Sequence, residues 1–397
     1  MERDFFVTWS AQQQATLLPL ERAEHDELVL RDGRRIFDFL STSFQTSFGY
    51  SQSTIIERVA AQLRQLPIAS PKATFPLKER VTARLLAFLG LPEGKIFFTV
   101  SGAESVENAL KMARHVTGRP VVLARRRSYH GATLGAMSVS GDWRSQPHLN
   151  FAAGTARIPE PHDDPDGSQT RSIVQALGAN QIAALIVEPI CGVNGVIIPP
   201  DSWWQAMQAI CREFDILLIC DEVLNGFGRT GRHFAFHHFG VTPDLVTMSK
   251  AISGGYVPFG AVWTNSRIAK FYENQVLACG LTNYAHPLGL AALDAVLDLF
   301  ESPEFKTTWR AVESQFQDWL AHLARQPGIR EVRVRGCLAA IETHQPAPPW
   351  GALIQQGVYA YSKDRLLVLA PPLNSDPGHL AAAATRVEQL LQAAADA

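Results

Sequence analysis

Cysteine is scarce in this 397-residue chain and suits neither disulfides nor zinc. There are five (Cys191, Cys211, Cys220, Cys279 and Cys337), an odd number at irregular spacing, with no CxxC. That excludes a disulfide scaffold, and with no HExxH among the twelve histidines no metal site is expected. Long apolar runs are missing too. The longest, such as Ile216 to Cys220, have the length of a strand, far below the ~20 residues of a bilayer span. Glu2, Arg3 and Asp4 stand where a secretory leader would be apolar-flanked, so the chain reads as cytoplasmic with reduced thiols. There is no excess of positive charge: acids outnumber bases 38 to 36, a net charge of −2, and Arg125-Arg126-Arg127 is the only basic triplet. Nothing attracts a nucleic-acid backbone, and the triplet reads as a solvated strand end. No GxGxxG follows the early strands, which disfavours a nucleotide-binding oxidoreductase.

What is present is core-forming material: 46% apolar residues against 19% charged, enough for two or three domains and too apolar for disorder. Leu28–Leu30, Asp32-Gly33 and Ile36–Phe39 predict a hairpin with a two-residue turn. Helical spacing covers 53–66 and about 77–89. From there strand, polar turn and helix alternate. Ile96 to Val100 runs into Ser101, Val121 to Ala124 precedes Tyr129, Ile182 to Val187 ends at Glu188, Ile216 to Cys220 at Asp221, and Leu245 to Met248 at Ser249-Lys250. Such alternation predicts an α/β fold with a mainly parallel sheet covered on both faces. Polar residues just past strand C-termini line the ligand crevice of such sheets. After a helix at 288–299, short strands at 332–334, 337–341 and 366–369 and a final helix from about 378 predict a smaller α+β unit, packed with the N-terminal segment. Pro346–Pro349 reads as a rigid surface loop.

Lysine is rare, eight residues against twenty-eight arginines, and Lys250 alone directly follows an apolar strand. Lost hydration there lowers an amine's pKa, and a neutral amine forms a Schiff base with an aldehyde; a lysine that snorkels to water is the competing reading. Asp221 ends the most apolar strand, where a carboxylate needs a cation, such as a pyridinium nitrogen, or serves as a simple strand cap. Ser101-Gly102-Ala103 offers a tight turn at a helix start, suited to phosphate. Tyr129-His130-Gly131 offers a ring for stacking. In this order the four elements point to pyridoxal phosphate.

Those residues, with the run Asp221-Glu222-Val223-Leu224-Asn225-Gly226-Phe227-Gly228-Arg229-Thr230-Gly231, resemble the class III (ω-) aminotransferases of the fold-type I pyridoxal-phosphate enzymes, over residues 30 to 372. The resemblance implies a large domain (46–287) with a seven-stranded, mainly parallel sheet, and a small domain built from 1–45 and 288–397. It implies that Ser101, Gly102 and Ala103 hold the cofactor phosphate, that Tyr129 and His130 meet its ring, and that Glu188 of Glu188-Pro189 supports it. It implies further that Asp221 pairs with the ring nitrogen, that Val223 packs under the ring, and that Lys250 is the Schiff-base lysine. Thr282, in Gly280–Pro287, is similar to the threonine that reaches the phosphate of a neighbouring subunit, so a homodimer with shared sites is implied.

Departures from the family bear on substrate. Leu224 replaces a common glutamine and resembles the branch using ω-amino acids or simple amines with pyruvate. Val193 stands where members acting on GABA or ornithine have glutamate, and Tyr361 where many have a mobile arginine, which leaves carboxylate binding to another group such as Arg365. The family's Ser-Trp-Trp stretch of diaminopelargonate enzymes is absent near Ser41–Phe44. Phe44, Phe48, Trp143 and Tyr361 are candidates for an apolar substrate pocket or for plain core. The expected activity is amino-group transfer in two halves, with a small-molecule amine and an oxo acid as partners and no nucleic acid or membrane. A racemase, epimerase or aminomutase on the same fold is the alternative, and a non-catalytic binding protein is disfavoured by the intact Lys250/Asp221 pair.

Overall fold

The computed structural model describes residues 4–151 and 154–395, so the charged start at Glu2 and Arg3 lies outside it. Its centre is a seven-stranded sheet of β1 (Gly94–Thr99), β2 (Val121–Arg125), β3 (Thr155–Ile158), β4 (Ile182–Val187), β5 (Leu217–Asp221), β6 (Leu245–Met248) and β7 (Gly260–Asn265). The order across the sheet is β1-β7-β6-β5-β4-β2-β3. All neighbours are parallel except β7, which runs antiparallel to both β1 and β6. The predicted apolar strands are there because they are covered on both sides: every residue of β4 and β5 is buried. Alternation then sorts their side chains between two layers. Leu185, Val187, Leu218 and Cys220 join the larger core, while Ala184, Ile186, Leu217 and Ile219 meet Val106, Ala109, Leu110 and Ala113 of a helix on the other face.

The longer helices are α1 (Ser53–Gln65), α2 (Pro76–Leu89), α3 (Gly102–Thr117), α4 (Asp201–Glu213), α5 (Pro287–Glu301) and α6 (Pro303–Leu323), the last packed on the strand Ile329–Arg335. The chain closes with α7 (Pro377–Ala395). Helix α5 is almost wholly interior, yet it carries Asp294, 1% exposed. A buried carboxylate needs cations, and here three supply them: Arg58 from α1, and Arg80 and Arg84 from α2 at 3.0 and 2.6 Å. These contacts hold the Asp294 carboxyl below its ordinary pKa, against the opposing pull of burial.

Two further four-stranded sheets flank the centre. In one, Leu20–Glu24, Glu27–Leu30 and Arg35–Asp38 form an antiparallel meander, to which Val358–Tyr359 adds in parallel. N- and C-terminal segments therefore share a sheet. The other is antiparallel, ordered Ile329–Arg335, Leu338–Thr343, Leu366–Leu369, Tyr361–Lys363.

Four expectations are corrected. The hairpin turn spans three residues, 31–33, because Leu30 pairs with Arg34 and Gly33, at φ +85°, supplies the left-handed step. Arg125 is fully buried rather than solvated, and only Arg126 and Arg127 face water. In the proline-rich loop Ala347 and Pro348 are buried. The strand β7 and the long helix α6 come from segments in which no element was predicted.

Candidate functional site

The site is built at the C-terminal ends of the parallel strands. Asp221 ends β5, 3% exposed, and its carboxylate makes three contacts, only one of them on Oδ2. Oδ1 accepts hydrogen bonds from the Val223 N–H at 3.1 Å and from the Thr247 hydroxyl at 2.9 Å; Oδ2 lies 2.6 Å from His130 Nδ1. Thr247 is there by register, being the residue paired with Asp221 across β5 and β6. His130 is buried too, and its second ring nitrogen, Nε2, has no partner among the described residues. A buried polar atom without a partner costs about 1–3 kcal/mol, so His130 keeps an unfilled hydrogen-bonding demand on the side of its ring away from Asp221.

Tyr129 and His130 follow β2 because the chain folds back on itself. The Ser128 hydroxyl donates to Arg125 O at 3.0 Å, and His130 N–H donates to Ser140 Oγ at 2.8 Å. Glu188, just past β4, braces the same loop from below. Its Oε1 accepts from Tyr129 N–H at 3.1 Å and its Oε2 from Gly192 N–H at 2.9 Å.

Ser101 caps α3: its hydroxyl accepts from Glu104 N–H at 3.2 Å, and the Glu104 carboxylate reaches back to Val100 N–H at 2.9 Å. This Ser-x-x-Glu exchange is a capping box shifted by one residue. It leaves the N–H groups of Gly102 and Ala103 without an acceptor among the described residues, at the positive end of a 16-residue helix. Glycine is required at 102 because a Cβ there would stand 2.8 Å from Val223 Cγ1 and 3.4 Å from Ser249 Cβ. The turn, Val223 and Ser249 thus form one wall.

Lys250 opens the turn after β6 with φ +51°, the left-handed region that a lysine enters at a cost. Its amine makes no hydrogen bond among the described residues and stands 5.4 Å from the centre of the Phe44 ring. Burial lowers its pKa to about 8, and Asp221 is the charge that opposes this most. Phe44 itself is presented by an unusual turn: Ser41, Thr42, Ser43 and Phe44 all have positive φ. Buried Asp38 holds that turn, accepting from Leu40 N–H at 3.0 Å and Thr42 N–H at 2.7 Å.

The structure brings Ser101, Gly102, Val223, Asp221, His130, Tyr129, Glu188 and Lys250 to one end of the sheet. Phe44 borders Lys250, whereas Phe48 is core, wholly buried against Phe300 and Phe305. Trp143, Tyr361 and Arg365 line a neighbouring cleft. Thr282 is exposed on the turn before α5. Sequence reasoning missed Arg144, whose guanidinium lies 4.4 Å from the Tyr129 ring, 5.3 Å from Trp143 and 5.5 Å from Trp9, and pairs with Asp142. An isolated loop arginine has no pattern to mark it; the only signal is its place between aromatic residues. A cleft of about 420 Å³ lies at the opposite ends of the strands among Arg212, Asp215, Asp244 and Arg267, and holds none of these residues.

Comparison with known proteins accords with this geometry. The family described as "Aminotransferase class-III" matches residues 8–391. The omega-aminotransferase of Caulobacter vibrioides is 31% identical over 384 residues, 88% of each chain. The beta-alanine–pyruvate aminotransferase of Pseudomonas aeruginosa is 31% identical over 396 residues, 90% of this chain and 88% of that one. Taurine:2-oxoglutarate aminotransferase from Bifidobacterium kashiwanohense, solved with PLP and glutamate, superposes with a TM-score of 0.92 at 29% identity, covering 98% of this chain and 96% of its own. Among the described residues the N–H pair at Gly102 and Ala103 has no acceptor and the Lys250 amine no hydrogen bond, which fits a phosphate-bearing aldehyde, and Tyr129 offers a ring beside them. The fold is that of the fold-type I transaminases, and the chain belongs to the class III aminotransferases, pyridoxal-phosphate-dependent transaminases.

Proposed function

We propose that the protein moves an amino group from a primary amine or ω-amino acid to an oxo acid, pyruvate foremost, in two half-reactions of a ping-pong cycle. The observation that carries this is the Lys250 amine: buried, without a hydrogen bond, and brought to a pKa of about 8 beside Asp221. The similarity to an omega-aminotransferase and to a beta-alanine–pyruvate aminotransferase supports the substrate class, as does apolar Leu224, buried against Gly192.

Pyridoxal phosphate, when bound, supplies an aldehyde that takes up amines and a ring that withdraws electrons from the carbon beside the amine nitrogen. Lys250 Nζ would hold the aldehyde at rest and, once displaced by substrate, would carry the proton from that carbon to the carbon that had been the cofactor's aldehyde, and back in the second half-reaction. Asp221, fixed by His130, Thr247 and the Val223 N–H, would keep a proton on the ring nitrogen. Gly102 and Ala103 N–H groups with Ser101 would anchor the phosphate, Tyr129 and Val223 would enclose the ring, and Glu188 would hold Tyr129 in place. Exposed Thr282 suits a contribution to the site of a second copy, and we infer a homodimer. The division into a cofactor domain at 46–287 and a smaller one from 1–45 and 288–397 belongs to the same reading; the sheet shared by Arg35–Asp38 and Val358–Tyr359 supports it. Five free cysteines suit the cytoplasm, and among the described residues no helix is long and apolar enough to cross a membrane.

The test is the absorption spectrum of the holoenzyme during single additions of β-alanine, taurine, a diamine or L-alanine. Loss of the visible band of the lysine-linked cofactor, restored by pyruvate, is the expected result, and the amine that produces it defines the donor class. A band that survives every amine while an L-amino acid loses optical activity would replace transamination with racemisation. The same visible band in Lys250→Ala would remove the lysine's assigned role.

A further inference from the structure

Tyr129 is held by its backbone and not by its hydroxyl. Its N–H donates to Glu188 Oε1, whereas the phenol oxygen makes no hydrogen bond among the described residues. What meets the ring is Arg144. The guanidinium lies over the ring, 4.4 Å from its centre, and Trp9 stands edge-on at 6.4 Å and 86°. The column continues outward. The same guanidinium lies 5.3 Å from the centre of Trp143, and Trp143 also carries Lys363 Nζ at 4.9 Å. Cation and ring thus alternate from Lys363 through Trp143 and Arg144 to Tyr129, each cation drawn to the negative face of its ring.

The arginine is placed there by the turn before it. Gly141 N–H donates to Ser128 O at 2.9 Å, and a Cβ on that glycine would collide with Arg126 O, so only glycine lets the two segments touch. Buried Asp142 then accepts from Arg144 N–H at 2.9 Å and pairs with the guanidinium. The Arg144 side chain is left 11% exposed. With its charge answered by Asp142, what it offers Tyr129 is a flat cation shielded from water, the setting in which such a contact counts most. The charge also reaches Lys250, where it adds to burial in disfavouring the protonated amine.

We propose that Arg144 is a positioning residue for the cofactor. Lying over one face of Tyr129, it fixes that ring against the cofactor ring, which would lie on the other face. The inference rests on the reading that Tyr129 encloses the cofactor and adds what holds Tyr129 in place. Arg144 itself touches neither cofactor nor substrate in this assignment.

The test is a double-mutant cycle on the holoenzyme, read by the rate of cofactor release and by the visible circular dichroism of the bound cofactor. Arg144→Met should speed release about tenfold, the size of a desolvated cation–π contact, and shrink the dichroic band. Arg144→Lys keeps the charge without the plane and should restore part of both. In a Tyr129→Leu background Arg144→Met should add less than about twofold, because the contact it removes is already gone. Far-ultraviolet dichroism verifies folding, and Arg144→Gln takes the place of Arg144→Met in the cycle if the latter does not fold. Unchanged release in Arg144→Met, or the same acceleration with and without the Tyr129 ring, overturns this inference and leaves the Tyr129 reading standing. Unchanged release and dichroism in Tyr129→Leu defeats that reading and the inference with it. Neither readout needs turnover, so the transaminase reaction is judged separately.

Discussion

At Lys250 two departures from ordinary behaviour coincide, a left-handed backbone and an amine brought down to about 8 by burial. Near neutral pH a far larger share of that amine is unprotonated than for a lysine in water. The rate at which apoprotein captures pyridoxal phosphate should therefore rise with pH around a midpoint near 8. In Asp221→Asn that midpoint should fall, because the acid's charge favours the protonated amine. A midpoint at the ordinary lysine value of 10.5 would refute both statements. The same depression has a stability consequence of definite sign. Between about 8 and 10.5 the unfolded chain holds the proton that the folded one has lost, so apoprotein stability grows with pH across that window. Lys250 and Asp221 were legible because each is a polar residue directly after an apolar strand, a place where a charged group is costly. His130 and Tyr129 were legible only through the motif they share. Arg144 and Trp9 were not: they meet through ring contacts between loops more than a hundred residues apart, which no local pattern encodes.

Among elements, the turn into α3 is the most constrained. It must cap a helix, leave two N–H groups free and pass against Val223, and only glycine at 102 allows the third. Gly102→Ala places a methyl 2.8 Å from Val223 Cγ1, a stiff β-branched neighbour that cannot swing away. Its affinity for pyridoxal phosphate should drop about tenfold, the equivalent of ~1.4 kcal/mol of overpacking. Fluorescence titration of apoprotein measures this; unchanged affinity would show that the wall yields. The parallel strands of the central sheet were readable because burial on both faces gives an unbroken apolar run. Strand β7 was not marked because Gly260–Asn265 begins with glycine and ends in Thr264-Asn265, and its direction is set by its two partners rather than by its own residues. Helix α6, half exposed, was hidden by its many polar positions.

For the whole molecule, Arg229 is the tie between distant segments. Fully buried, it donates to Cys337 O at 3.1 Å, Pro371 O at 2.5 Å, Ser41 Oγ at 3.0 Å and Ser47 Oγ at 2.8 Å. Burial lowers its pKa to about 10, outweighing the opposing charge of Asp38. Arg229→Met keeps most of the volume and removes every donor, leaving two buried carbonyls and two hydroxyls to find other partners. A loss of about 3 kcal/mol is expected, read from urea denaturation of the apoprotein. A change below about 0.5 kcal/mol, the size of an ordinary surface substitution, would show the tie to be dispensable. The motif made Arg229 visible, but its reach did not, since its partners lie up to 188 residues away along the chain.

The antiparallel strand has a further consequence, for the order in which a newly made chain acquires its site. Strand β1 touches the sheet only through β7, so residues 94–99 have nowhere to dock until residues 260–265 have left the ribosome. At 5–20 residues per second that is a wait on the order of ten seconds or more. The Ser101–Ala103 turn, proposed to hold the phosphate, follows β1, and it is positioned only when β7 slots between its neighbours. The emerging polypeptide therefore cannot be rescued by its own cofactor during most of its synthesis, and its half-built sheet, with β6 still an open edge, is the form that chaperones would encounter.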